Sequence, residues 1–335
     1  MIDLHAHIFF DELLGQAGEF GPEIRQTSSG RNEVVTGAYS WPIGENTSLG
    51  FSAAARLEAL DVAGIDIQAL SLSPLWLFHS ATSDVAVSFL RRANDLLHEW
   101  TSHAPERLLA YAALPTQDVD LAVEELERNV ARGFIGGYIG SNARPALDDP
   151  DLDPLYAAHA RLGVPLYIHS TVPGVDGPAG DPRLDRWLGH VTVGYPNEET
   201  LTVLSMILGG VLDRHPGLNV VIPHGGGTFP FIAGRVLDSL RLPAAPVSRD
   251  TARAALQRLW FDTHVHSRDS LDLLISVVDT GRLVFGSNYG GWDSGHTNEV
   301  SGMEPLLDAN ARRLLRLDQP EARNEEIVEV GHGGR

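Results

Sequence analysis

The chain has 335 residues, 14 histidines and no cysteine, and all 25 of its basic residues are arginines, against 44 acids for a formal net charge of -19. No disulfide, zinc–thiolate site, iron–sulfur cluster or cysteine nucleophile can be built from it, and no Schiff-base or phosphate-loop lysine. A metal site must draw on His, Asp, Glu or Asn, and the acidic balance argues against nucleic acid or an anionic membrane surface as partner.

A hydrophobic content of 43% supports a sizeable core, and no apolar run reaches the roughly 18 residues of a membrane span. Met1–His5 carries neither a basic region nor a signal-peptide stretch, so a cytoplasmic location is expected. Along the chain, Ile2–Leu4 reads as a first strand, and Phe9–Gly50 as a long polar insertion rich in Gly, Ser, Thr and Asn. Helix Ser52–Ala63 and strand Ile65–Leu72 follow, then helix Asp84–His103, strand Leu108–Leu114, helix Leu121–Arg132 and strand Phe134–Ile139. Helix Asp153–Leu162 leads to strand Val164–Ile168, and a second insertion spans Thr171–Asn197. The remainder reads as helix Glu198–Arg214, strand Leu218–Ile222, helix Phe231–Leu240, strand Leu259–Phe261, helix Ser270–Asp279 and strand Leu283–Phe285. A third insertion, Asn288–Gly302, precedes helix Glu304–Leu317, and Gln319–Arg335 forms a polar tail, either flexible or crossing to a partner subunit.

Most strand candidates are short continuous apolar runs, as strands buried on both faces should be. Eight of them alternating with helices predict one (β/α)8 TIM barrel over residues 1–335. A doubly wound open sheet is the rival, but no G-x-G-x-x-G follows the first strand. The insertions at about 9–50 and 171–197 follow strand C-terminal ends, so they are expected to cover the catalytic face.

Chemistry collects at the same strand ends. His5 and His7 form an H-x-H pair, and residues i and i+2 on a strand point the same way. His169 ends the fifth strand, His224 the sixth and Asn288 the eighth. Singly each reads as an ordinary buried polar residue; together at one barrel mouth they predict a metal centre. Imidazoles with an oxygen ligand suit one catalytic divalent ion, zinc first and manganese second, with no organic cofactor.

The segments MIDLHAH, PLYIHS, IPHGGGTFPFIAGR and LVFGSNYG, in this order, resemble the amidohydrolase superfamily. The resemblance is to the branch of aminocarboxymuconate-semialdehyde decarboxylase, related aromatic acid decarboxylases and 4-oxalomesaconate hydratase. It implies that His5, His7 and His169 bind the metal and that His224 polarises or deprotonates its water. It also implies that Arg235 binds a substrate carboxylate across a homodimer interface, with Arg56 as a second carboxylate anchor. Arginine suits that task because its planar fork meets both oxygens. With no lysine to carbamylate, the centre is expected to be mononuclear unless another carboxylate bridges two ions.

One position departs from the resemblance. Where the branch has G-[ST]-D-Y, this chain has Gly286-Ser287-Asn288-Tyr289, and an amide offers a carbonyl oxygen but no acid–base proton at neutral pH. Three readings stay open: Asn288 is a weak ligand and His224 alone handles protons; Asp293 takes over the carboxylate role; or the original chemistry is lost. His266 is a candidate substrate contact, and Trp76 and Trp187 are candidate walls for an aromatic substrate, alongside Phe78, Tyr195 and Trp292. The expected function is metal-dependent, non-oxidative decarboxylation of a small aromatic or unsaturated carboxylic acid. Hydrolysis or hydration by a metal-activated water, on a lactone, ester, amide or alkene, is the alternative, and a barrel without catalysis ranks last.

Overall fold

The first strand, β1 (Ile2–Ile8), is longer than the sequence indicates, because polar residues alternate with Leu4, Ala6 and Ile8 through its second half. Asp3, His5 and His7 occupy one face and the apolar residues the other, and both faces are buried. The computed structural model describes residues 1–44, 49, 52–171, 174, 180–295 and 298–318. The tail after residue 318, and parts of all three insertions, lie outside them.

The first insertion carries regular structure. Strands β2 (Glu23–Gln26), β3 (Asn32–Thr36) and β4 (Tyr39–Gly44) form a three-stranded antiparallel sheet. Its anchor is Trp76, whose indole Nε1 donates to Thr36 Oγ1 at 3.2 Å, with the Phe9 ring 5.1 Å away.

The barrel then alternates strand and helix. Helix α1 (Ala53–Ala63) is capped by Ser52, which accepts from Ala55, and ends at Gly64 in the left-handed conformation that glycine tolerates. Strand β5 (Ile67–Leu72), α2 (Ser83–Thr101), β6 (Leu108–Ala113), α3 (Val119–Val130), β7 (Gly136–Gly140), α4 (Asp153–Leu162) and β8 (Leu166–His169) follow. The helix expected over Glu198–Arg214 is two helices, α5 (Tyr195–Leu208) and α6 (Val211–Arg214). Gly210 at φ 73° breaks the line between them. Strand β9 (Val220–Ile222) leads to α7 (Phe229–Ser239) and to an unanticipated α8 (Arg249–Leu256), followed by β10 (Trp260–Asp262), α9 (Arg268–Val277), β11 (Leu283–Val284) and α10 (Glu304–Leu315).

The eight parallel strands run in the order β1-β5-β6-β7-β8-β9-β10-β11. The ring closes through parallel bridges of Asp3 with Phe285 and Ala6 with Tyr289, where Leu4 N donates to Phe285 O at 2.9 Å and His7 N to Tyr289 O at 2.7 Å. The expected (β/α)8 barrel is therefore the observed fold. Its interior is polar as well as aromatic: Tyr111, Tyr138 and Tyr167 fill it, and Asp3 accepts from Gln68 Nε2, Ser287 Oγ and the backbone of His5 and Ser287. No described helix is long and apolar enough to cross a membrane.

Candidate functional site

Two strands, β1 and β8, deliver three imidazoles to one point. His5 Nε2 lies 3.2 Å from His7 Nε2 and 3.3 Å from His169 Nε2. The opposite nitrogen of each ring is already committed: His5 Nδ1 donates to Asp262 Oδ2 at 2.7 Å and His169 Nδ1 to Ser170 O at 2.8 Å. His7 Nδ1 lies 3.0 Å from Ser71 Oγ, whose own proton goes to Ala6 O. A neutral imidazole protonated at Nδ1 carries a lone pair at Nε2. Three lone pairs so close, with no proton between them, form a repulsive arrangement that a cation relieves.

Electrostatics keeps these rings neutral. Burial pulls His5 down to about 4 despite the opposing Asp262 carboxylate, which is itself held well below the usual range. Burial, then neighbouring imidazoles, push His7 and His169 well below their ordinary value. The donor set thus fits a divalent ion, which His5, His7 and His169 would hold through Nε2 while Asp262, Ser71 and Ser170 fix their tautomers.

His224 joins the cluster, its ring centroid 4.9 Å from that of His5, and it forms a metal-compatible group with His5 and His169. Its Nδ1 is bound to Glu199 Oε1, which also accepts from Ser170 Oγ at 2.8 Å. Burial opposes charge on this ring, but Glu199, Asp262 and Asp293 outweigh it and raise His224 to about 9. The result is a tightly paired His224 and Glu199 beside the imidazole cluster, with the His224 Nε2 edge left for chemistry.

Opposite it lies a second carboxylate. Asp293 Oδ2 is 2.5 Å from His266 Nε2 and 3.2 Å from His264 Nε2, and Oδ1 accepts from Asn288 Nδ2 at 2.6 Å. Burial resists its ionisation, yet the surrounding imidazoles hold its carboxyl far below the ordinary range. His224, His266 and Asn288 all lie at positive φ, 50°, 63° and 50°. Such backbone persists where the fold over-determines it, and it concentrates at functional sites.

These groups open on a cavity of about 730 Å³. Phe9, Tyr39 and Trp41 wall one side, Tyr195 and Phe231 another, and Trp292 the rim. His7, His169, His224, His266, Asn288 and Asp293, all anticipated from sequence, line it together. Other candidates do not reach it. Arg56 is buried behind β1, where its guanidinium donates to His7 O at 2.8 Å and Gln68 Oε1 at 3.0 Å and covers the Tyr289 ring at 4.3 Å. It holds the strand that bears the ligands and is walled off from a substrate. Trp76 is fully buried under β3, leaving Leu75 to line the cavity, and Trp187 is 76% exposed beneath the Arg186 guanidinium. Arg235 is exposed on α7, outside the cavity of its own chain.

Two groups escaped the sequence reading. Neither Glu199 of α5 nor Asp262 at the end of β10 was among the candidate residues. A signal for Asp262 existed, since Asp262-Thr263-His264 repeats the i, i+2 spacing of His5 and His7.

The chain is 29% identical over 338 residues to a 2-amino-3-carboxymuconate-6-semialdehyde decarboxylase of Dictyostelium discoideum, covering 95% of this chain and 92% of that one. It superposes with a TM-score of 0.68 on a 2,6-dihydroxybenzoate decarboxylase solved with 2,6-dihydroxybenzoate, at 27% identity over 81% of this chain and 90% of the other. A dihydroxybenzoic acid decarboxylase from Polaromonas sp. JS666, solved with manganese and 2-nitroresorcinol, shares the fold at TM-score 0.74 and 23% identity, over 95% of this chain and 97% of that one. The profile of the Amidohydrolase family matches residues 2–318. That match begins with the strand that carries the first two imidazoles and takes in every element of the barrel, so the chain belongs to the amidohydrolase family.

Proposed function

We propose that the protein is a metal-dependent, non-oxidative decarboxylase of small aromatic or unsaturated carboxylic acids. The observation that carries this reading is the convergence of three unprotonated Nε2 atoms beside the His224–Glu199 pair, in an aromatic-walled cavity. Decarboxylation breaks the bond from carbon to carboxylate, leaves the electron pair on carbon and needs a proton there as carbon dioxide departs. A bound divalent ion would supply a Lewis-acid anchor for substrate oxygen and stabilise developing negative charge. His224 holds the required proton at Nε2, and Glu199 orients the ring and supports its positive charge. Phe9, Trp41 and Trp292 flank the space where a planar substrate would lie. Zinc suits the imidazole-rich donor set first, and manganese is the second candidate.

None of the described residues lining the cavity is an arginine. Arg235 lies one helical turn beyond Phe231, which is 82% exposed and lines the mouth. We therefore propose that a second copy of the chain covers this face and presents its Arg235 to the substrate carboxylate. The activity test is carbon dioxide release by zinc- or manganese-loaded protein from 2,6-dihydroxybenzoate, other hydroxybenzoates and carboxymuconate semialdehydes, with His224→Gln as control. Release from none of them would overturn the decarboxylase reading. Incorporation of labelled solvent oxygen into product without carbon dioxide would assign hydration or hydrolysis in its place.

A further inference from the structure

Asn288 follows β11 and lines the cavity with His7 and His169. It is 5% exposed, and its Oδ1 is buried with no hydrogen-bond partner. Its Nδ2 donates to Asp293 Oδ1 at 2.6 Å. An ionised carboxylate only accepts, so it engages the NH2 end of an amide and turns the carbonyl end away. Asp293 keeps that character because His264 and His266 also bear on its other oxygen. The turn between the two residues is built to bring them together. Asn288 takes φ 50°, Gly291 N donates to Asn288 O at 2.8 Å, and Gly290 takes φ 92°. A Cβ at residue 290 would lie 2.6 Å from His7 O, and one at residue 291 would lie 2.5 Å from Asn288 Oδ1.

We infer that Asn288 and Asp293 work as one divided carboxylate: Asn288 Oδ1 is a neutral oxygen ligand of the divalent ion, and Asp293, one hydrogen bond further out, is the positioning residue that selects the ligating end of the amide. The inference rests on the metal-centre reading above. It accounts for a buried carbonyl oxygen that the protein leaves unsatisfied, a state that is costly unless something answers it. It also leaves every protein ligand neutral, so the ion retains its double charge toward an anionic substrate in a cavity whose described lining has no arginine.

Equilibrium dialysis of Zn2+ and Mn2+ against wild type, Asp293→Asn, Asn288→Ala and the exchanged pair Asn288→Asp/Asp293→Asn tests it, with circular dichroism to verify folding. Asp293→Asn is expected to raise the metal Kd by about 10- to 100-fold, the usual cost of losing an outer partner. The exchanged pair, with its carboxylate in the ligand position and its amide outside, is expected to bind more tightly than Asp293→Asn. Asn288→Ala removes the oxygen without touching Asp293 and is expected to show a similar loss, which keeps the test decisive if Asp293→Asn does not fold. Wild-type affinity in Asp293→Asn or in Asn288→Ala, or an exchanged pair no tighter than Asp293→Asn, overturns the inference while leaving the metal centre standing. A wild-type protein that binds neither ion overturns both.

Discussion

The imidazoles of this site gain their direction from neighbours that a motif search passes over. Asp262 fixes the proton of His5 at Nδ1 and so exposes the lone pair at Nε2. Asp262→Asn is expected to weaken metal binding by about 10- to 100-fold in equilibrium dialysis with the barrel intact; an unchanged Kd would mean that His5 is oriented by packing alone. Glu199 acts on the proton of His224. Glu199→Gln should lower kcat by about 100-fold or more while metal content stays at the wild-type level. Because Glu199 raises the His224 pKa, its removal should move the alkaline limb of the kcat profile to lower pH. Loss of metal in this variant would instead make His224 a ligand. At this scale the histidines were legible because strand ends repeat at i and i+2, and Asn288 was legible as a departure from a resemblance. Glu199 was not, since acids near the start of a helix are ordinary; only the tertiary contact with His224 distinguishes it. Arg56 and Trp76 misled for the converse reason: residues of binding type are also what a fold uses to tie β1 and β3 in place.

Elements carry a second polar network, remote from the metal. Glu125 of α3 accepts from Arg91 and Asn94 of α2 and from Arg128 and Asn129 of its own helix, and Asn94 also donates to Ala113 O at the end of β6. Burial alone would raise the Glu125 carboxyl, but these donors outweigh it and hold it below the ordinary value. Glu125→Ala strips a buried acceptor from several donors at once and should cost about 3 kcal/mol in urea unfolding at neutral pH. A carboxyl depressed in the folded state contributes stability above its unfolded pKa and loses it as pH falls through the folded one. The gap between wild type and variant should therefore narrow on acidification, and a gap independent of pH would assign the loss to packing. Strand and helix order was legible from apolar runs alone. What escaped were β2–β4, whose short strands alternate with turn residues inside a polar insertion, helix α8, and the break at Gly210, where one backbone angle interrupts the expected helix.

The whole molecule has one face that a single chain leaves open. Phe231 and Trp292 both line the cavity and are 82% and 74% exposed. Sedimentation equilibrium is expected to show a dimer, and Phe231→Glu should shift it toward monomer. Arg235→Gln should raise KM by about tenfold or more, as removal of one partner from a desolvated charge pair does. A monomeric wild type would remove the proposed role of Arg235 across the interface. The acidic net charge, read from sequence as evidence against nucleic-acid and anionic-membrane partners, also bears on this scale, since an anionic substrate approaches a protein of like sign and must be captured by local positive charge.

The seam of the barrel has a consequence for how the molecule is made. Among the described residues, β1 meets the segment that follows β11 through the bridges of Asp3 with Phe285 and Ala6 with Tyr289, and the residues beside that join include His5 and His7 on one edge and Asn288 on the other. His5 and His7, two of the proposed ligands, therefore stand far apart in the chain from Asn288, the proposed oxygen donor, and meet it only across this join. If the proposed centre binds its ion, cation capture would then report on completed closure of the ring. An ion that binds only the closed ring adds stability in proportion to the logarithm of its concentration over Kd, about 2.7 kcal/mol at a hundredfold excess. Chelation should lower Tm accordingly and raise hydrogen exchange first at Leu4 and His7, the two amides that stitch the join.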